Sequence, residues 1–115
     1  MRDARDVNQP HLRSAKIPPM NLPLESVRAI AAAHGVQRLE LFGSVARGEV
    51  GRDYDFLVTF KPIPPLEHGR AYFALLVSLE ASLGRSVDLL ELEAIRNPFF
   101  LAAIAADRAL IYDTH

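Results

Sequence analysis

The sequence predicts an α+β domain: a small mixed β-sheet with helices packed on one face. Three observations lead there. Apolar residues recur at helical spacing in two long segments. Short runs that alternate apolar and polar lie between and after them. Gly or Pro punctuates nearly every junction. The 115 residues suffice for one domain around a single core.

Residues 1–20 stand apart. They are polar and lack the apolar stretch of a signal peptide, and Asp3 and Asp6 are foreign to transit peptides. Pro18-Pro19 closes the segment. We expect a disordered tail over 1–20 and the folded domain over 21–115.

Pro23 to His34 reads as the first helix, with Leu24, Val27, Ile30 and Ala31 on one stripe and Gly35 as its stop. Val36 to Phe42 reads as a strand, broken by Gly43-Ser44. Asp53 to Phe60 is the second strand. The prolines of Lys61 to Gly69 indicate a loop. Arg70 to Leu83 is a long helix with Tyr72, Phe73, Leu76, Leu79 and Leu83 turned inward. Ser86 to Leu92 is a third strand, apolar enough to be buried. Asn97 caps a helix that starts at Pro98 and runs to about Arg108. Ala109 to Tyr112 forms a last short strand.

Composition narrows the function. The formal net charge is -1, so no overall basic field draws the chain to nucleic acid. The absence of cysteine rules out disulfides and thiolate zinc sites and fits a reducing, cytoplasmic setting. No apolar run approaches the roughly 20 residues of a membrane span, and no membrane partner is expected.

The chemistry concentrates between residues 41 and 58. Leu41-Phe42-Gly43-Ser44-Val45-Ala46-Arg47-Gly48 runs from a strand into a turn, and Asp53-Tyr54-Asp55-Phe56-Leu57-Val58 opens the next strand. Side chains alternate along a strand, so Asp53 and Asp55 share a face with Leu57 and Thr59, while Tyr54, Phe56, Val58 and Phe60 form the core face. Two adjacent carboxylates disfavour each other's ionised forms, and a divalent cation relieves that repulsion with oxygen ligands. Gly43 permits close backbone approach. The Ser44 hydroxyl and the amides after it suit phosphate oxygens, and Arg47 offers a planar fork of donors. Asp88, a charge in an otherwise apolar strand, needs a partner or a metal and is the best third carboxylate. Glu91 and Glu93 are weaker candidates. The turn is not a P-loop, because the sequence has no Gly-x4-Gly-Lys-Ser/Thr. His11, His34, His68 and His115 have no metal-ligand spacing.

At Gly-Ser-Val-Ala-Arg-Gly (43–48), Asp-Tyr-Asp (53–55) and Leu83-Gly-Arg-Ser-Val-Asp88-Leu-Leu90, the chain resembles the minimal nucleotidyltransferases of the DNA polymerase beta-like superfamily. The loop between the first two motifs, Glu49-Val50-Gly51-Arg52, is shorter than is usual there. The resemblance covers about residues 22 to 113. It implies that Gly43, Ser44 and Arg47 bind the nucleotide. It implies that Asp53, Asp55 and Asp88 are catalytic and ligate two Mg2+ ions, with ATP as substrate. It also implies an antitoxin role: transfer of AMP to a tyrosine of a HEPN ribonuclease toxin, in a hetero-oligomer with it. Two other readings are a non-catalytic antitoxin that neutralises by contact, and a transferase acting on a small molecule of aminoglycoside type.

Overall fold

A computed structural model describes residues 22–49 and 53–114. The tail expected over 1–20 and the loop residues 50–52 lie outside the described residues. The elements, in chain order, are α1 (Leu24–Ala33), β1 (Val36–Phe42), the single-turn α2 (Gly43–Ala46), β2 (Tyr54–Phe60), α3 (Pro65–Leu83), β3 (Val87–Glu91), α4 (Pro98–Ile104) and β4 (Ala109–Asp113). Short 3-10 turns occupy Leu92–Ala94 and Ala105–Asp107.

The four strands form one mixed sheet in the order β3-β2-β1-β4. β1 lies antiparallel to both β2 and β4, and β2 lies parallel to β3. The two long helices, α1 and α3, cover one face. Leu39 and Leu41 of β1, Phe56 and Val58 of β2, and Val87 and Leu89 of β3 point to that side. They meet Val27 and Ala31 of α1 and Leu75 and Leu79 of α3. Each Val, Leu or Phe among them, once fully buried, contributes roughly 1.5–3 kcal/mol. The stripe expected on the first helix is the one that packs.

α4 rests on the opposite face, where Ile104, Phe100 and Leu101 meet Phe42 and Leu57. Phe42 and Phe100 meet edge to face with centroids 6.0 Å apart. Beside this patch, the carboxylate of Glu40 is buried between two arginines. Arg38 Nε donates to it at 2.8 Å and Arg108 Nε at 2.7 Å. Arg38 also reaches Asp113 at 2.7 Å, so β1 and β4 are tied by charge as well as by the ladder.

Four local expectations are corrected. α3 begins at Pro65, inside the segment read as a loop, because Pro64 is extended and Pro65 takes the first helical turn, where no amide donor is required. Phe73 is 64% exposed, since a helix turns about 100° per residue and the buried line runs through Tyr72, Leu75, Leu76, Leu79 and Leu83. α4 ends at Ile104 rather than near Arg108, tightening into a 3-10 turn. β3 is a sheet edge with Asp88 and Leu90 exposed, not a strand buried on both faces.

Candidate active site

The turn after β1 is built by its glycine. Phe42 ends the strand in extended geometry, and Gly43 takes φ +79° to start α2, a conformation that L side chains rarely adopt. The Arg47 amide closes this single turn onto the Gly43 and Ser44 carbonyls, each at 3.1 Å. Val45 and Ala46 are buried, which seats α2 on the sheet and leaves Ser44 half-buried at its edge.

Strand register sets the carboxylates. Phe42 faces Asp55 across the antiparallel β1–β2 pair, so Asp55 lies against the turn. A Cβ at Gly43 would collide with the Asp55 carboxylate: the glycine leaves the space that this acid occupies. Across the parallel β2–β3 pair, Asp55 faces Asp88, and the two carboxyls are close enough to act on one another. Two supports hold β3 in place. Glu80 of α3 accepts from the Val87 amide at 3.0 Å, and the Tyr72 hydroxyl donates to the Leu89 carbonyl at 2.6 Å. The Tyr72 phenol is raised above its ordinary value by burial first, then by Glu91 and Asp88.

Two acids in contact cannot both ionise freely. Asp55 is accordingly pushed up to about 6, by burial first, then by the hydrogen bond and charge of Asp88, then by Asp53, with Arg47 opposing. Asp53 is exposed one residue before β2. It adds charge to the site without closing a cluster: among the described residues, no three acidic, imidazole or thiolate side chains gather as a ready-made metal cage. Magnesium does not require one, since it is held by one or two carboxylates together with substrate phosphates and water. The paired carboxyls of Asp55 and Asp88, all hard oxygen and short of positive charge, fit that ion.

Arg47 is held by acids. Its Nη1 donates to Asp107 Oδ2 at 2.8 Å, and its Nη2 lies 3.3 Å from Ser44 Oγ and 3.4 Å from Glu49 Oε2. Asp107 raises its pKa. The structure therefore brings Gly43, Ser44, Arg47, Asp55 and Asp88 together, with Asp53 at the margin. Glu91 lies elsewhere, paired with His68 at 2.6 Å. Asp107 escaped sequence reading: it is 60 residues from Arg47, and an acid in a turn carries no local signal.

The chain is similar to proteins already known. The family described as "Polymerase beta, Nucleotidyltransferase" matches residues 25–115. The protein adenylyltransferase MntA of Thermococcus cleftensis is 36% identical over 86 residues, which cover 66% of this chain and 84% of that one. A solved structure assigned as a minimal nucleotidyltransferase is 34% identical with a TM-score of 0.56, covering 74% of this chain and 85% of the other. The MNT antitoxin solved in complex with the tri-AMPylated HEPN toxin of Shewanella oneidensis is similar in fold. Its TM-score is 0.56 at 18% identity, with coverage of 79% of this chain and 70% of that chain.

Proposed function

The chain belongs to the polymerase beta nucleotidyltransferase family, and on that premise we propose that it is a magnesium-dependent protein adenylyltransferase and antitoxin. It would transfer AMP from ATP to a tyrosine of a HEPN ribonuclease. The observation that carries this reading is the pairing of Asp55 with Asp88 beside the Gly43-Ser44 turn. The relative named protein adenylyltransferase MntA supports the reaction, and the complex with a tri-AMPylated HEPN toxin supports the partner. No helix among the described residues is long and apolar enough to cross a membrane. The cytoplasm, which holds both ATP and a ribonuclease's RNA, is the proposed location.

Each residue has a task in that reaction. The Ser44 hydroxyl, the amides after it and the Arg47 fork would orient the triphosphate. Asp55 and Asp88, with Asp53 at the entrance, would hold two Mg2+ ions. When bound, these supply positive charge that lowers the acceptor's pKa and screens the departing pyrophosphate. The tyrosine oxygen bonds to the α-phosphorus and its proton passes to Asp88. The bond from that phosphorus to the bridging oxygen breaks, and pyrophosphate leaves.

The test is intact mass. The product of the gene adjacent to this chain's, incubated with it, ATP and Mg2+, should gain the mass of one or more AMP units. Asp55→Asn should abolish the gain. An unmodified partner, or equal modification by the variant, refutes the proposal.

A further inference from the structure

The Arg47 guanidinium is fixed at one end by a residue from the far side of the sequence. Asp107 sits in the 3-10 turn before β4, and its surroundings pin it. On one side Ile104 is buried against Phe42 and Leu57. On the other, Arg108 donates at 2.7 Å to Glu40, which is itself only 4% exposed. The Asp107 side chain is 17% exposed, whereas Arg47 is 46% exposed. The acid is thus the rigid member of the pair and the arginine the adjustable one. Glu49, the other acid in reach, is 48% exposed and 3.4 Å away, too loose to fix anything.

We propose that Asp107 is the positioning residue of the phosphate cradle: its carboxylate holds Arg47 Nη1, so that the Nη2 edge stands beside the Ser44 hydroxyl before nucleotide arrives. The inference rests on the reading of Gly43, Ser44 and Arg47 as that cradle. A long cationic side chain otherwise samples many rotamers, and ordering it on binding costs affinity. Asp107 meets that cost during folding. It touches neither nucleotide nor acceptor and acts through Arg47 alone.

Two effects of Asp107 oppose each other, and the test separates them. Its charge would repel a triphosphate; its hydrogen bond would aid binding by ordering Arg47. Calorimetric titration of the full chain with Mg-ATP reads the balance. Positioning predicts that Arg47→Ala and Asp107→Ala each weaken binding about tenfold, near the worth of one charge-assisted bond. The double variant should be no weaker than Arg47→Ala. Asp107→Asn keeps an acceptor oxygen and should recover part of the loss. Glu49→Gln should bind like wild type, and AMP, which lacks the β- and γ-phosphates, should bind Asp107→Ala and wild type alike. A urea unfolding curve for each variant checks that the fold persists, and Asp107→Asn serves if Asp107→Ala does not fold. Tighter or unchanged Mg-ATP binding by the Asp107 variants, with Arg47→Ala weakened, overturns the inference and leaves the cradle standing. Unchanged binding by Arg47→Ala overturns both.

Discussion

Asp55 and Asp88 stand directly opposite each other on adjacent parallel strands, near enough for each carboxyl to act on the other. Strand pairing alone brings these acids, 33 positions apart in the chain, to one point on the sheet face that α1 and α3 leave uncovered. The contact stores a repulsion that a cation would relieve, and its consequences can be measured.

Acid should stabilise the metal-free protein through Asp55. Its folded value, about 6, lies above its ordinary 3.8. The contribution of the protonated form is therefore complete below about pH 4 and lost as pH rises through about 6. The full shift would exceed 2 kcal/mol, but the carboxyl is partly exposed and screened, so about 1 kcal/mol is expected. Urea unfolding without divalent ions should find Asp55→Asn about 1 kcal/mol more stable than wild type near pH 7.5 and equal to it near pH 4. An equal gap at both pH values would contradict the assignment.

Gly43 and Gly48 form a matched pair. Both have positive φ, +79° and +94°, so alanine strains the backbone at either, by about 1 kcal/mol or more. Only at Gly43 would the new methyl also strike Asp55; at Gly48 nothing lies within 4 Å. Gly43→Ala should therefore lower the melting temperature more than Gly48→Ala and should also suppress Mg-ATP binding. Equal losses at both positions would remove the close approach from the account.

Neutralising one carboxylate at a time grades the site. Asp55→Asn and Asp88→Asn should each slow AMP transfer at least about a hundredfold at saturating ATP, as loss of a metal ligand does. Asp53→Asn should also slow transfer while leaving the fold intact. Single-turnover rates with the partner protein check this, and near-normal transfer by Asp88→Asn would strike at the pairing itself.

Glu40 is structural. Glu40→Ala leaves Arg38 and Arg108 facing one another without the carboxylate between them. Both arginines reach solvent in part, so the loss should be about 2–3 kcal/mol, below that of a fully buried broken pair. Chemical denaturation reads this directly. A change under about 0.5 kcal/mol would mean that the triad contributes nothing net.

Much of this was legible in the chain. Period-two alternation placed Tyr54, Phe56 and Val58 inward and Asp55 outward, and the 3.6-residue period placed Val27 and Ala31 against the sheet. The Gly-Ser turn and the acids were visible as local motifs. Register was not, because nothing local says that Asp55 should face Asp88 rather than a neighbour. The Arg47–Asp107 pair and the Glu40 cluster are long-range for the same reason. The start of α3 was hidden by Pro62, Pro64 and Pro65, which read alike as breakers although Pro65 suits a first helical turn. Phe73 is apolar enough for a core, but its angular position on the helix turns it to the surface.

Bound manganese reports on the Asp55–Asp88 pair itself, since Mn2+ substitutes for Mg2+ among oxygen ligands and is visible by electron paramagnetic resonance. Titrated with Mn2+ in the presence of a non-hydrolysable ATP analogue, the wild-type chain should bind the ion, and Asp55→Asn and Asp88→Asn should each lose most of that binding while remaining folded. Undiminished manganese binding by both variants would contradict the account.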